Sequence, residues 1–381
     1  MLISPNKLTV DLGALIHNLA EIQGLTGSDI KSMGVVKSDA YGHGILQVSK
    51  TLGKNGVYCL GVSFTREALF LRERGISIPI VILCGIDREE HALAAIDNRL
   101  TPVLFNPDSA EMLERAASKR RKSIKVHVKI DTGMGRLGID CRETISFLNR
   151  VKGLKHLEVE GLMSHLSSAD EQDTAFTKGQ IKKFRSVVEE ARQKGFDLRL
   201  NHLANSAGLV RYPDSHFDMV RPGIMLYGGL PSPDFRGDFK LKPVMGLKCS
   251  ILQIKEFKKN SPVSYGRSYY TEGLKKIAVI SAGYADGIPR ALSNRGKVLI
   301  NGRFALIRGN ICMNMLSCDI TDMHGVKTGD ECVVLGSDGI NTITGDSIAG
   351  LAGTISYEIY LSMGMGPERE YIYNASKNCC F

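Results

Sequence analysis

Met33-Gly34-Val35-Val36-Lys37-Ser38-Asp39-Ala40-Tyr41-Gly42-His43-Gly44 begins as a short apolar run and breaks into a turn of glycine and polar side chains. The run reads as a β-strand and the turn as the loop beyond its C-terminal end. Seven further runs of the same kind follow, at 57–63, 78–84, 101–105, 124–131, 157–164, 198–204 and 217–221. Between them lie amphipathic stretches such as 107–121 and 176–194, with apolar residues at three- and four-residue spacing. Eight alternations of strand and helix within about 250 residues predict a parallel (β/α)8 barrel of the TIM type. The rival, an open doubly wound sheet, lacks its G-x-G-x-x-G after the first strand.

An extra strand-like run at 8–12 precedes the count and is expected to pair with a second domain. Beyond Tyr227-Gly228-Gly229, the prolines and glycines of 230–243 mark a boundary. We place the barrel at 1–240 and a mostly β domain at 241–381. Its runs at 244–257, 277–281, 297–300, 304–320 and 331–335 read as strands, with little helix apart from 345–351.

The 381 residues are 43% hydrophobic and 23% charged, the balance of a soluble protein with a sizeable core. A net charge of +9 would suit nucleic acid, but the basic residues are dispersed apart from 119–122 and 258–259, which read as solvated helix ends. Nine cysteines, among them Cys379 and Cys380, form no C-x-x-C pair and no ladder of metal ligands, so they read as reduced thiols of a cytoplasmic protein without a metal. Residues 1–12 lack the apolar stretch of a secretory signal, and no run approaches the roughly 20 apolar residues that span a bilayer.

In such a barrel the loops after the strands form the active face. Lys37 belongs there. Taken alone it reads more readily as a solvated strand-edge lysine, but a desolvated amine loses its proton readily and condenses with an aldehyde. The loops after the seventh and eighth strands carry Asn205, Ser206, Gly223 and Ile224, where barrels commonly hold phosphate. An aldehyde-reactive lysine and a phosphate cradle on one face point to pyridoxal 5'-phosphate.

These motifs resemble one family over essentially the whole chain, the alanine racemases. V-K-S-D-A-Y-G-H-G (36–44) is similar to the family's cofactor-lysine signature, K-I-D-T-G-M-G-R-L-G (129–138) to its substrate loop and R-P-G-I-M-L-Y-G (221–228) to its pyridine-nitrogen segment. S-Y-G-R (264–267), G-Y-A-D-G (283–287), I-C-M-N (311–314) and I-S-Y-E (355–358) match landmarks of the second domain.

The resemblance implies a pyridoxal-phosphate isomerase that interconverts L- and D-alanine and supplies D-alanine for peptidoglycan. It makes Lys37 the cofactor-bearing lysine and one acid/base. Tyr265, from the partner subunit of a homodimer with shared active sites, becomes the opposing base. Removal of a proton from one face of Cα and its return to the other are served by two bases. A phenol titrating near pH 10 needs assistance, which the resemblance assigns to His165 and Arg221, with His202 orienting Arg221. Arg221 would face the pyridine nitrogen, where an arginine cannot give up its proton. Tyr41, Ser206, Gly223, Ile224 and Tyr357, with Asn205 nearby, become the phosphate ligands. Arg136 and the Met313 amide would bind substrate, Lys129 would face Arg136 and is carbamylated in some members, and Tyr284 would line the access corridor.

Two positions depart from the family pattern, Asn310 for arginine and Asn314 for aspartate, which bears on access and substrate preference. Serine is a further candidate substrate, because an apolar pocket rejects an added hydroxyl only modestly. A barrel-fold decarboxylase would have a carboxylate where Arg221 stands, and a lone-barrel carrier of pyridoxal phosphate would have no second domain.

Overall fold

A computed structural model describes residues 5–233 and 235–373. Short β-branched runs supply the strands β1 Lys7–Asp11, β2 Lys31–Val35, β3 Cys59–Val62, β4 Ile80–Ile82, β5 Thr101–Leu104, β6 Ile124–Asp131, β7 Ile139–Asp140, β8 Leu157–Met163 and β9 Met219–Val220. Parallel pairing runs β9-β2-β3-β4-β5-β6-β8, with helices such as Pro107–Arg120 and Ala175–Gln193 in the connections. Inward residues of six strands, Met33, Cys59, Val81, Val103, Met163 and Met219, fill the interior, so the barrel is a packed core rather than a pore. β7 is an unforeseen addition that pairs with the last residues of β6.

The predicted seventh strand, 198–204, forms no regular ladder. It closes the barrel between β8 and β9 through one bridge, Met163 to His202, and a few backbone bonds. The N–H groups of Arg199 and Leu200 both donate to the Glu160 carbonyl, at 2.9 and 3.1 Å, and Asp218 N–H donates to the Asn201 carbonyl at 2.9 Å. The Asn201 side chain accepts from Leu162 N–H at 3.1 Å, taking the place of a backbone carbonyl. Two donors on one carbonyl break the even spacing that a parallel ladder requires. The chains also approach too closely for a side chain between them, since a Cβ on Gly161 would lie 2.0 Å from the Leu200 carbonyl oxygen. The first and last strands are displaced or shortened as well, so that Lys37 stands two residues beyond β2 rather than at its end.

The second domain is antiparallel, built from β10 Met245–Phe257, β11 Pro262–Val263, β12 Tyr269–Tyr270, β13 Lys275–Ile280, β14 Lys297–Ile300, β15 Arg303–Ile307, β16 Leu316–Asp319, β17 Glu331–Asp338, β18 Asn341–Ile343 and β19 Arg369–Ile372. β10 is its spine, pairing with β13, β17 and β1. β1 pairs antiparallel with β10 and parallel with β19, which ties the N-terminal strand into this sheet.

The expected strand over 304–320 is two strands separated by a loop at 308–315, where Gly309 takes φ 78°. The expectation of little helix here is also corrected, because Ser356–Gly364 is helical. Its buried residues Ser356, Ile359, Tyr360 and Met363 follow helical spacing, but the β-prone composition of so short a run hides it. This helix packs directly on the turn after Lys37. A Cβ on Gly42 would lie 2.3 Å from the Tyr360 carbonyl oxygen, so the bare backbones touch.

The basic cluster at 119–122 ends a surface helix and is paired with acidic neighbours, Arg120 and Lys122 with Asp97 and Lys119 with Glu89. The seven described cysteines are free, and Cys379 and Cys380 lie outside the described residues. Among the described residues no helix is long and apolar enough to cross a membrane.

Candidate active site

Ser38, Asp39, Ala40 and Tyr41 have φ of 52°, 54°, 54° and 55°, four successive residues in the left-handed region immediately after Lys37. Each such residue costs about 1–2 kcal/mol, so the turn persists only because its surroundings fix it. Glu67 accepts from Ser38 N–H at 2.6 Å and Asp39 accepts from Ile45 N–H at 2.7 Å. Arg369, arriving on β19, bonds both Asp39 (2.5 Å) and the Gly42 carbonyl (2.9 Å). The reversed turn brings Lys37 and Tyr41, four residues apart, to one cavity.

That cavity, of about 310 Å³, opens at the C-terminal ends of the barrel strands. Lys37, Tyr41, Lys129, Arg136 and His165 line one part of it, and Asn205, Ser206, Arg221, Gly223 and Ile224 another. Tyr357 reaches it from the helix Ser356–Gly364 of the second domain, its ring 5.8 Å from that of Tyr41. Ser63, Leu83, Cys84 and Met163 also line it and were not singled out from the sequence. The signal was available, because each stands at or next to the end of a barrel strand.

Arg221 is the electrostatic centre. It is 4% exposed, and burial lowers its pKa to about 10, so it remains a cation at neutral pH. No carboxylate pairs with it among the described residues. Instead Nη1 donates to His202 Nδ1 at 2.8 Å, while Nη2 donates to the Ser164 carbonyl (2.6 Å), the Leu203 carbonyl (3.1 Å) and His165 Nδ1 (3.1 Å). A guanidinium only donates, so Nδ1 of each histidine must be bare and Nε2 must carry the proton. Burial, reinforced by Arg221, holds both histidines well below their usual pKa and keeps them neutral. His165 Nε2 makes no hydrogen bond among the described residues. His202 lies behind Arg221, outside the cavity wall.

The two lysines respond to the same field. Desolvation lowers the Lys37 amine below its usual value, and Arg136 and Arg221 add to the effect. Lys129 is pushed down to about 8 by burial and then by the Arg221 and Arg136 charges. Neither lysine makes an ion pair among the described residues. In contrast, burial raises the phenols of Tyr41 and Tyr357, which therefore stay neutral donors.

Around Gly223, the Ser206 hydroxyl accepts from Gly223 N–H at 3.0 Å, and a Cβ on Gly223 would lie 2.5 Å from the Tyr41 hydroxyl. Asn205 lines the cavity, but its side chain is spoken for. Its Oδ1 caps the helix Ser206–Arg211 through Gly208 N–H and its Nδ2 holds the Leu166 carbonyl.

Tyr265, Met313 and Tyr284 are not in this cavity. They are exposed by 73%, 56% and 44% and belong to one patch of the second domain. Backbone bonds tie it together, from Tyr284 N–H to the Cys312 carbonyl (3.1 Å) and from Ala285 N–H to the Met313 carbonyl (2.9 Å). Asn310, one of the two departures from the family pattern, donates to the Tyr265 carbonyl at 2.8 Å and accepts from the Ser264 hydroxyl at 2.5 Å. Three of the four residues of this turn, Ser264, Gly266 and Arg267, have positive φ, so the turn that presents Tyr265 is held rather than relaxed.

A barrel whose mouth sets a desolvated amine beside a buried, permanently charged guanidinium, capped by an antiparallel β domain, defines an enzyme equipped to move protons. Its relatives define the family. Residues 10–231 match the profile "Alanine racemase, N-terminal domain" and residues 244–371 "Alanine racemase, C-terminal domain". Alanine racemase of Halothermothrix orenii is 41% identical over 367 residues, covering 96% of this chain and 97% of the relative. That of Syntrophobacter fumaroxidans is 43% identical over 355 residues, covering 93% and 94%. Among solved structures, alanine racemase of Clostridium difficile superposes with a TM-score of 0.89 at 34% identity, covering 98% of this chain and 97% of that one. That of Streptomyces lavendulae gives 0.91 at 31%, covering 98% and 99%. The chain belongs to the alanine racemase family, and its enzymatic class is isomerase.

Proposed function

We propose that this enzyme interconverts L- and D-alanine with pyridoxal 5'-phosphate bound in the Lys37 cavity, as a cytoplasmic homodimer whose partner subunit completes each site. The observation that carries the reading is one cavity lined both by Lys37 and by an Arg221 whose hydrogen-bond partners are only histidines and carbonyls. The residues present suit the cofactor. A lowered lysine amine is the form that condenses with an aldehyde. The neutral phenols of Tyr41 and Tyr357 and the Ser206 hydroxyl can donate to a phosphate, and the missing Cβ of Gly223 leaves room beside Tyr41. When bound, pyridoxal phosphate would supply the electron sink that acidifies the substrate Cα–H.

The protein's own residues do the rest. Lys37 Nζ takes or returns the proton on one face of Cα. Tyr265 of the partner subunit does so on the other, since its own chain holds it exposed and away from this cavity. His165, with its proton fixed on Nε2 by Arg221, has a donor to offer the Tyr265 oxygen and so favours the phenolate. Arg221 facing the ring nitrogen would keep it unprotonated, which restrains the sink and the transamination that too strong a sink allows. Arg136, at the cavity rim, would hold the substrate carboxylate or the cofactor oxygen through its planar fork. Met313 and Tyr284, on the same patch as Tyr265, would arrive with it, giving substrate contacts and a corridor wall. The crowding of Tyr357 and Tyr265 favours a methyl side chain, and D-alanine for peptidoglycan is the product this implies.

The experiment is to incubate the purified enzyme with L-alanine in deuterated water and to follow optical rotation and deuterium at Cα. Loss of rotation with incorporation at Cα is expected. Retained rotation, or release of carbon dioxide, overturns the reading.

A further inference from the structure

Behind Arg221 the barrel interior holds more polarity than the cavity uses. His202 Nε2 lies 2.8 Å from His127 Nδ1, on β6, and both rings are buried, at 0% and 1% exposure. His127 Nε2 makes no standard hydrogen bond and lies 3.5 Å from Glu160 Oε2, on β8. Glu160 is held in turn by Lys125 at 2.6 Å, near the N-terminal ends of these strands and so at the opposite end of the barrel from the cavity.

The proton positions along this line are forced. Arg221 can only donate, so His202 Nδ1 accepts and His202 Nε2 carries the hydrogen. That hydrogen requires a bare His127 Nδ1, which puts the His127 proton on Nε2, facing a carboxylate that can only accept. Cation, two neutral imidazoles and anion therefore line up in one direction. The contact with His127 and the Lys125 ammonium hold the Glu160 carboxyl down to about 2, so the terminus is an anion at every working pH. His202 and Arg221 line up only in this order; a protonated His202 would face the guanidinium donor to donor.

We propose that His127 and Glu160 are positioning residues for the catalytic centre, the far end of a directional line of two hydrogen bonds, Arg221 to His202 and His202 to His127, closed by a 3.5 Å contact from His127 to the Glu160 carboxylate, that crosses the barrel and fixes His202 and Arg221. The line gives the buried guanidinium a counter-charge without placing a carboxylate next to it, where it would quench the cation. Each imidazole polarises the next, so the charge of Glu160 strengthens the Arg221 contacts from a distance. The inference rests on the racemase reading of the cavity, but its first test does not.

Label the cofactor-loaded enzyme with nitrogen-15 histidine, assign His127 by its loss in His127→Gln, and read the tautomers. Both His127 and His202 are expected neutral, with Nε2 protonated and Nδ1 bare. Either ring protonated on Nδ1 overturns the proposal whether or not the enzyme racemises alanine. The second test is Glu160→Gln, which keeps an acceptor oxygen and removes the charge. We expect kcat for racemisation to fall about fivefold, the worth of one lost charge contact at the end of the line, with KM for alanine within about twofold and the His127 and His202 resonances shifted. Glu160→Asp, which keeps the charge at a longer reach, should recover part of the loss, and it serves the same comparison if the glutamine variant does not fold. Wild-type kcat with unshifted resonances in Glu160→Gln, or equal losses in the two variants, would make the line merely structural.

Discussion

Arg221→Glu is the substitution that bears most directly on what this cavity does. Arg221 makes four hydrogen bonds, two to imidazoles and two to backbone carbonyls, from a position 4% exposed. Glutamate can make none of them as a donor. Loss of the charged bond to His165 alone is worth roughly 1.5–3 kcal/mol, or about a 10–150-fold fall in racemisation. The orphaned carbonyls of Ser164 and Leu203 add a stability cost of about 1–3 kcal/mol each unless water replaces the guanidinium. At the same time a carboxylate facing the ring nitrogen would let that nitrogen hold a proton, which deepens the electron sink. Racemisation should therefore slow while pyruvate from side transamination rises, with a long-wavelength absorbance on mixing with alanine. Polarimetry, a pyruvate assay and stopped-flow spectra read the three effects. A variant that folds and binds cofactor, yet shows no new absorbance and an unchanged ratio of racemisation to transamination, would refute the placement of Arg221 at the pyridine nitrogen.

Lys37→Ala should abolish the visible absorbance of bound cofactor and activity together, and borohydride reduction of the wild type followed by peptide mapping should find the cofactor on Lys37; a label on another lysine contradicts the assignment. Tyr265→Phe should cripple Cα exchange from L-alanine more than from D-alanine, which Lys37 serves, and equal losses would refute that division of labour. Asn310→Ala frees the strained turn behind Tyr265 and should reproduce the same asymmetry at about fivefold, the worth of one neutral hydrogen bond; a symmetric loss would mean that Asn310 acts elsewhere. Lys129, whose folded pKa of about 8 lies below its unfolded value of 10.5, binds fewer protons folded than unfolded between these values, so its contribution to stability rises with pH from 8 to 10.5. In bicarbonate-free buffer Lys129→Met should be more stable than wild type at pH 7, by up to about 3 kcal/mol, and the advantage should vanish by pH 10.5; thermal unfolding across that range checks it.

Local pattern carried much of this reading. Alternation of β-branched runs with helical spacing gave the barrel, since a strand buried on both faces and a helix buried on one have different periods. It failed where tertiary contacts override local preference. The run at 198–204 has strand composition, but doubled donors on the Glu160 carbonyl and the Asn201 side chain replace its ladder. The helix Ser356–Gly364 has strand-like composition and becomes helical against the Lys37 turn. Of the candidate site, the strand-end residues Lys37, Lys129, His165 and Arg221 were legible because barrels expose strand ends, whereas Ser63 and Cys84 at equivalent positions carried no motif to draw attention.

The sequence by itself determined the architecture of this protein and the chemical kinds at its mouth, two amines, two guanidiniums and an imidazole in a fixed order along the chain. It could not determine which of them would touch, because contact depends on register and on backbone geometry that no short motif encodes. Only the tertiary structure decided that four left-handed residues swing Tyr41 beside Lys37, and that Arg221 lies among histidines rather than carboxylates. It also decided that Tyr265 stands exposed on a clamped turn, outside its own chain's cavity. His127 and Glu160, 33 residues apart on neighbouring strands, acquire a direction only when the packed barrel aligns them behind Arg221, since the direction of a hydrogen-bond line is set by its two ends and neither end is local to the residues between.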